Sequence, residues 1–373
     1  MQSILKRASS VKAQTSVSSG QRLPSYLPWI DVLRFLACFL VIVLHCTPNA
    51  PAGLGHAGVA LFFSISGFLI GRVLDEDNNP SRFYARRFLR IYPVYFATLA
   101  IFAVLSFPPF IHDAANGVLF WRNIQYYLTF TFQLSPDFDR LPLMVVWSLC
   151  VEELFYLLLP LVFLLKKRSR IAIAMVVIVA VLLLPRFSVL PNGAGLWFVF
   201  PLNLFFGVLL ALARPRLRNG FPIVAVGCIG LVVVNGELGW FSAFGPISAL
   251  LCTAAVWSLA VLDFKLPAVL DPFRWMGKLS YGIYLLHSFG LSAAVRIAAK
   301  LPRHLQGTYV VIVVTTAFAV LASWAMQLCV ENPALKLRRS LSRNAGLRYL
   351  LAGVQVGLIP TGIVLAFIQR IIR

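Results

Sequence analysis

Residues 308–330 read TYVVIVVTTAFAVLASWAMQLCV and contain no Asp, Glu, Lys or Arg. An α-helix that crosses a bilayer needs about 20 consecutive, mostly apolar residues, so this stretch predicts a membrane-spanning helix. Residues 171–185, 221–234 and 245–262 are further runs without a charged side chain. The composition agrees, because 60% of the 373 residues are hydrophobic and only 12% are charged, whereas about 25% is usual in soluble domains.

The pattern predicts an all-α fold, a polytopic transmembrane helical bundle of about 10–11 helices. The predicted helices lie near residues 29–48, 56–74, 91–107, 143–165, 171–187, 196–213, 221–235, 245–262, 279–297, 308–330 and 347–368. Residues 1–25 are rich in Ser, Gln, Lys and Arg, which predicts a disordered cytoplasmic N-terminal tail. Residues 26–345 are predicted to form the main transmembrane domain, and residues 346–373 an extra C-terminal transmembrane helix.

The distribution of basic residues predicts the orientation of the chain. With a cytoplasmic N-terminus, the predicted inner loops and tail hold 24 of the 33 Lys and Arg residues, as expected because these residues accumulate on the cytoplasmic side. The loop at 108–142 is then outside, and its aromatic residues place part of it along the membrane interface. The net charge of +20 therefore reflects topology and indicates no nucleic-acid partner. The six cysteines show no zinc-binding spacing, so we predict no metal site.

The first predicted helix carries two ionisable residues on one face, Arg34 and His45. Eleven residues separate them, which is almost three turns, or about 16 Å along the helix axis. Charged groups inside a bilayer are costly and usually functional. A cation at the inner mouth with a base further out suits a phosphate-bearing cytoplasmic donor. The structural alternative is a basic anchor with an interfacial histidine.

The fourth predicted helix carries a polar face formed by Ser148, Glu152 and Tyr156, which are spaced by four residues, with Trp147 beside them. The adjacent Glu153 points about 100° away from Glu152, so only one of the two glutamates can easily face a common cavity. We favour Glu152, because a carboxylate facing His45 would fix its tautomer and raise its basicity. A purely structural buried glutamate is the alternative.

Two other helices contribute candidate cavity residues. Ser66 lies in a stretch of small residues but outside any Gly-x-Ser-x-Gly elbow, so lining or packing is favoured over a nucleophilic role. Tyr284 and His287 share one polar face of the ninth predicted helix with Ser280. His287 lies near the middle of the membrane, where it either lines a wet cavity or bonds a neighbouring helix.

A basic stripe precedes the third predicted helix. Arg82, Arg86 and Arg90 recur every four residues, with Arg87 beside them. Such a stripe on a cytoplasmic amphipathic stretch binds either anionic lipid headgroups or the phosphates of a donor.

These segments together resemble a known family. The matching elements are Arg34 with His45 as an R-x10-H pair, FFSISGFLIG at 62–71, RFYARRFLRIYP at 82–93, WSLCVEELFYLLLP at 147–160, SYGIYLLH at 280–287 and ENP at 331–333. Six such elements in order make the chain similar to the acyltransferase family 3 membrane proteins, which O-acylate bacterial cell-surface glycans and some natural products. Cys150 stands where many members have Ser.

The resemblance implies an acyl-CoA cosubstrate with no bound cofactor, and essential roles for Arg34 and His45. We therefore expect an O-acyltransferase of the bacterial cytoplasmic (inner) membrane that moves an acetyl or other short acyl group to a glycan hydroxyl. His45 would act as the base, or as a covalent acyl carrier, and Glu152 would orient it. The implied partners are acyl-CoA, a glycan acceptor that could be lipid-linked, and membrane lipids.

The alternative is a transporter or flippase that uses the Arg, Glu and His residues as an ion or substrate pathway. Broken helices and paired inverted repeats are common in transporters. The sequence shows neither feature, which disfavours this class.

Overall fold

The structure is a computed structural model that describes residues 23–48, 52–107, 114–183, 201–216, 222–239, 242, 244–262, 265–302 and 306–372. In these residues, fifteen α-helices are numbered in chain order. They are α1 Pro28–Cys46, α2 Ala52–Glu76, α3 Pro80–Leu105, α4 Ala114–Arg122, α5 Ile124–Leu128, α6 Val146–Val162, α7 Lys167–Leu183, α8 Leu202–Leu212, α9 Pro222–Leu238, α10 Pro246–Ala260, α11 Asp271–Lys278, α12 Ser280–Lys300, α13 Thr308–Met326, α14 Asn332–Lys336 and α15 Ala345–Ile372.

The predicted all-α polytopic fold is confirmed. Each of the eleven predicted helices overlaps a helix of the structure, although residues 184–187 and 196–200 of two of them lie outside the described residues. In the part of the chain that the structure describes, six helices are long and apolar enough to span a membrane. They are Pro28–Cys46, Leu54–Glu76, Pro80–Leu105, Ser280–Lys300, Thr308–Lys336 and Ala345–Gln369. The chain is a multi-pass membrane protein.

The third helix begins eleven residues earlier than predicted. It starts at Pro80, and the side chain of Asn79 caps it by accepting a hydrogen bond from the backbone N–H of Arg82 at 3.0 Å. Asparagine at the N-cap and proline in the first turn are strong helix-starting signals. The basic stripe is therefore the first part of α3, continuous with the spanning segment, and not a separate cytoplasmic stretch.

The described residues of the segment between α3 and α6 pack partly into the bundle, and the position of part of this segment along the membrane interface stays a prediction. Tyr127, Phe130 and Phe132 are almost completely buried, and the side-chain amide of Gln133 donates a 3.0 Å hydrogen bond to the backbone carbonyl of Trp147. Aromatic side chains bury large apolar areas and are stable when packed together. This packing covers the start of α6, where Val146 and Trp147 are buried.

Helix α2 lies at the centre of the bundle, where it contacts α1, α8, α9 and α10. Small residues allow the close approach. A Cβ atom added at Gly67 would overlap the backbone carbonyl of Leu204 in α8, and one added at Gly207 would overlap the carbonyl of Ser64. The contact brings α8 backbone to α2 backbone and leaves the opposite side of α2 facing α6 and the site.

The C-terminal helix α15 packs along α3. Two glutamines of α15 reach into the bundle: Gln355 donates to Glu153 at 3.1 Å, and the Gln369 side-chain oxygen accepts from Tyr126 at 2.8 Å. These bonds tie α15 to α6 and α5. The predicted domain boundary between residues 345 and 346 lies next to the start of α15 at Ala345. The division of the chain into two domains there stays a prediction.

Candidate active site

A cavity of about 280 Å³ lies between α1, α2, α3, α6 and α12. Seven of the residues predicted for the site line it together: Arg34, Ser66, Arg90, Ser148, Glu152, Tyr156 and Tyr284. The remaining five, namely His45, Arg82, Arg86, Trp147 and His287, do not line it. The cavity is therefore built from the polar faces that the sequence predicts. Two of the arginines predicted to bind the donor, and both histidines, lie outside it.

Three arginines supply the basic end of the cavity. Arg34 lies 3.7 Å from Asp31 one turn earlier in α1, and Arg90 forms an ion pair with Glu331. Arg87 lies with its guanidinium over the ring of Tyr156, 5.3 Å from the ring centroid, and it forms no ion pair within the described part of the chain. Guanidinium groups bind phosphate with two parallel hydrogen bonds, so this end suits a polyanionic ligand.

The Arg90–Glu331 pair depends on a local change in helix geometry. Between α13 and α14, residues Gln327–Glu331 form a π-helical turn. Such turns are frequent at functional sites because they re-aim the side chains near them. Glu331 is buried and neutralises only one of the three cavity arginines.

A chain of hydroxyl groups connects the glutamate of the cavity to α2. The Tyr156 hydroxyl donates to Glu152 at 3.2 Å and lies 2.6 Å from the Ser66 hydroxyl. The positive charge of the Arg87 guanidinium also lies near the Glu152 carboxylate. The carboxylate is thus held toward the arginines by hydrogen bonds from its own helix and α2.

The structure separates the two adjacent glutamates as predicted. Glu152 lines the cavity, whereas Glu153 is buried behind it and accepts hydrogen bonds from Tyr92 at 3.0 Å and Gln355 at 3.1 Å. Glu153 therefore joins α6 to α3 and α15. Its role in this structure is to connect helices.

A second hydroxyl pair lines the cavity one helical turn from Glu152. The Tyr284 hydroxyl lies 2.8 Å from the Ser148 hydroxyl and 3.1 Å from the Val145 carbonyl. These contacts hold α12 against the start of α6. On its far side, the ring of Tyr284 contacts His287, with 5.9 Å between ring centroids.

The two histidines lie together beyond Tyr284. The rings of His45 and His287 are 5.0 Å apart between centroids. His45 is exposed at the C-terminal end of α1, whereas only 1% of the surface of His287 is accessible. The cavity and the histidine pair are therefore neighbouring compartments with Tyr284 between them.

The expected contact between His45 and Glu152 is not formed. The Nδ1 atom of His45 lies 2.8 Å from the Val41 carbonyl oxygen of its own helix, and Glu152 bonds Tyr156. Each of the two side chains bonds a partner on its own helix. His45 therefore takes its orientation from a backbone carbonyl.

Two of the arginines predicted to bind the donor lie outside the cavity. Arg82 and Arg86 both pair with Asp77, at 2.9 Å and 3.5 Å. Partial burial raises the pKa of Asp77. The hydrogen bonds that its carboxylate accepts from Arg82 and from the Asn79 backbone, together with the charges of both arginines, outweigh this effect and hold the pKa below its ordinary value. These arginines stabilise the turn between α2 and α3, because they pair with Asp77 in that turn and lie nearer the start of α3 than Arg87 and Arg90.

Trp147 supports the cavity wall from behind. Its ring meets the ring of Phe63 edge to face, with 6.2 Å between centroids, and Phe63 lines the cavity. Arg87 and Glu331 are the two residues at this site to which the sequence pattern assigns no individual role. The available signal was helical spacing, since Arg87 and Arg90 are three residues apart and share a face once α3 is continuous.

Fold and cavity together define the class: a multi-pass membrane protein with a cation-lined cavity inside its helical bundle. Residues 27–328 match the family described as an acyltransferase domain, so this chain belongs to the acyltransferase family 3 proteins. The resemblance drawn from the six motifs is thereby confirmed.

Curated relatives carry related names. The chain is 29% identical over 317 residues to the peptidoglycan O-acetyltransferase OatA of Listeria monocytogenes, which covers 70% of this chain and 49% of the relative. It is 29% identical over 312 residues to the putative peptidoglycan O-acetyltransferase YrhL of Bacillus subtilis, covering 70% and 48%. The chain spans about half the length of these relatives. No solved structure matches the chain.

Proposed function

We propose that this chain is an integral-membrane O-acyltransferase of the bacterial cytoplasmic membrane. It moves an acetyl or other short acyl group from cytoplasmic acyl-CoA to a hydroxyl of a cell-surface glycan. Family membership supports the reaction class, and the names of the relatives favour peptidoglycan, in polymeric or lipid-linked form, as the acceptor.

The observation that carries the proposal is the convergence of Arg34, Arg87 and Arg90 on one cavity. Coenzyme A carries several phosphate charges beside a long, narrow pantetheine arm that ends in the thioester. Arginines at the mouth of the cavity bind the phosphates, and the apolar walls formed by residues such as Phe62 and Leu69 accept the arm. Arg87 is the strongest of the three candidates, because its charge is not matched by an ion pair among the described residues.

His45 supplies the base in this proposal. A carbonyl oxygen only accepts hydrogen bonds, so the 2.8 Å contact with Val41 places the ring hydrogen on Nδ1. The lone pair is then on Nε2. In the transfer step, Nε2 takes the proton of the acceptor hydroxyl, the hydroxyl oxygen forms a bond to the acyl carbon, and the carbon–sulfur bond breaks. The thiolate receives the proton and leaves as coenzyme A.

The geometry sets one requirement for this reaction. The cavity ends at Tyr284, whose ring contacts His287 next to His45. The thioester must pass the Tyr284 side chain to reach Nε2 of His45. The proposed reaction therefore requires the Tyr284 side chain to move when the donor is bound.

The test uses purified protein in liposomes with acetyl-CoA labelled in the acetyl group and soluble peptidoglycan fragments. We expect thiol release and transfer of label to the glycan, both lost in His45→Ala at normal membrane abundance, since a positioned base contributes about 10²–10⁴-fold to rate. Label that crosses the membrane still attached to coenzyme A, without transfer, would instead identify a transporter.

Arg34 gives a second test of the donor site. A guanidinium offers five donors in a planar fork, whereas an ammonium is a compact point charge. We therefore expect weaker acetyl-CoA binding in both Arg34→Lys and Arg34→Ala, with the alanine variant weaker. Full activity in Arg34→Lys would leave only a requirement for charge.

A further inference from the structure

A buried nitrogen next to the proposed base has no hydrogen-bond partner among the described residues. The Nε2 atom of His287 is inaccessible to solvent and makes no hydrogen bond to any described residue. Buried polar atoms are almost always hydrogen-bonded, so an unpartnered one in a folded protein asks for an explanation. The proposed transfer reaction, as described, makes no use of this atom.

The tautomer of His287 follows from its other nitrogen. Nδ1 lies 2.7 Å from the Tyr284 carbonyl oxygen, which can only accept, so Nδ1 carries the ring hydrogen. Nε2 therefore presents a lone pair and needs a donor. His45 has the same arrangement, with Nδ1 bonded to a carbonyl and Nε2 carrying a lone pair.

The group that can supply a donor is the neighbouring ring. The two imidazoles are 5.0 Å apart between centroids and tilted by 56°. While both are neutral, both Nε2 atoms are acceptors and no bond can form between them. Once His45 is protonated at Nε2, it becomes a donor, and the lone pair of His287 is the acceptor beside it.

We infer that His287 is a positioning residue that accepts a hydrogen bond from protonated His45 during acyl transfer. This inference rests on the proposed function of His45. The hydroxyl proton moves to Nε2 of His45 as the new carbon–oxygen bond forms and the carbon–sulfur bond breaks. The resulting N–H donates to Nε2 of His287, and the proton then passes to the thiolate sulfur. Charge-assisted hydrogen bonds of this kind are stronger than neutral ones, so His287 stabilises the state that follows proton abstraction.

The surroundings of the pair leave this role to His287. His56 is close enough to His45 to affect its charge, but its ring packs on Phe244 at 5.5 Å between centroids. Tyr284 contacts His287 through its ring, while its hydroxyl is bonded at Ser148. Among the described residues, no carboxylate forms an ion pair or a hydrogen bond with either ring of the pair.

Two substitutions separate an acceptor role from simple packing. His287→Phe keeps a planar ring of similar size and removes the lone pair, whereas His287→Gln keeps an acceptor oxygen near the position of Nε2 and loses the ring. An acceptor role predicts that turnover falls about tenfold or more in His287→Phe and is largely kept in His287→Gln, since general-base steps are worth about 10²–10⁴-fold in total. A packing role predicts the reverse order.

The experiment measures thiol release from acetyl-CoA with soluble peptidoglycan fragments in proteoliposomes. It compares four variants, namely His287→Phe, His287→Gln, His45→Ala and the double variant His45→Ala/His287→Phe. The Michaelis constant for acetyl-CoA should be unchanged in His287→Phe, because the donor cavity lies on the other side of Tyr284. His56→Gln, on the adjacent helix, is the matched control and should keep normal turnover.

The outcomes distinguish the two hypotheses. Loss of activity in His45→Ala and in His287→Phe, with activity largely kept in His287→Gln, supports a shared function of the pair. If His45→Ala is inactive while His287→Phe is fully active, His287 has no such role and the proposed base stands. If His45→Ala is active, the proposed base itself is wrong.

Discussion

Arg82 and Arg87 lie five residues apart on α3 and have opposite environments. Arg82 is half-exposed and paired with Asp77, whereas Arg87 lines the cavity and has no ion pair among the described residues. An exposed ion pair contributes about 0–1 kcal/mol, whereas a hydrogen bond to a charged group contributes about 1.5–3 kcal/mol. The same residue type on one helix therefore allows a matched comparison.

We predict that Arg87→Gln raises the Michaelis constant for acetyl-CoA by about 10- to 100-fold, the equivalent of one lost charge-assisted contact. Arg82→Gln should leave it near the wild-type value. Steady-state kinetics in proteoliposomes measure both. Equal effects of the two substitutions would mean that the whole stripe binds the donor and that the cavity has no special role.

Tyr284 lines the cavity and its ring contacts His287, so under the proposed function it separates the donor site from the histidines. Its hydroxyl bonds join α12 to the start of α6 at the end of the cavity. A single hydrogen bond stabilises by about 1 kcal/mol net, so its loss should make opening about fivefold easier. We predict that Tyr284→Phe increases release of thiol from acetyl-CoA in the absence of glycan, because water then reaches the thioester more often.

Tyr281→Phe is the control for this prediction. Tyr281 lines the same cavity one turn earlier, but its hydroxyl donates to the Ile91 carbonyl of α3, away from the histidines. Its loss should not increase glycan-independent hydrolysis. A similar increase in both variants would indicate a general loosening of α12.

At the scale of helices, the packing of α2 on α8 depends on positions without side chains. A methyl group at Gly67 would overlap the Leu204 carbonyl, whereas a Cβ at Gly227 in α9 would meet no atom within 4 Å. Backbone overlap cannot be relieved by rotating a side chain. In an open helical position, alanine is favoured over glycine by about 0.8–1 kcal/mol.

We therefore predict that Gly67→Ala lowers the thermal unfolding temperature of the detergent-solubilised protein and Gly227→Ala does not. Overpacking of a close contact typically costs about 1–3 kcal/mol. Because α2 also carries Ser66, activity should fall with stability in Gly67→Ala. An unchanged unfolding temperature in Gly67→Ala would show that the two helices can separate without cost.

The helices could be predicted from sequence because membrane spanning imposes one strong requirement, a long run of apolar residues. The polar faces of α6 and α12 could also be predicted, since residues four apart share a face in any helix. The predicted start of α3 is too late, because its charged residues are typical of a loop although Asn79 and Pro80 already form a helix start. The pairing of His45 with the Val41 carbonyl could not be predicted, because the spacing of residues does not show whether a histidine bonds its own helix or a neighbouring one.

At the scale of the whole molecule, ion pairs bring distant loops to one side. Asp75, at the end of α2, contacts Arg170 at 3.3 Å and Arg214 at 2.7 Å. These residues belong to three of the loops that the charge pattern predicts to be cytoplasmic. Because short salt bridges join them, all three loops lie on the same side of the bundle.

The excess of Lys and Arg in these loops predicts that this side of the bundle faces the cytoplasm. Asn78 is exposed beside Asp75, and Asp139 is exposed in the segment between α5 and α6. We predict that a membrane-impermeant maleimide labels Asp139→Cys in intact cells and labels Asn78→Cys only after permeabilisation. Both substitutions are made in a Cys329→Ser background, since Cys329 is the exposed one of the six native cysteines. The reverse pattern would place Arg34, Arg87 and Arg90 on the outer side, and cytoplasmic acyl-CoA could then not reach them.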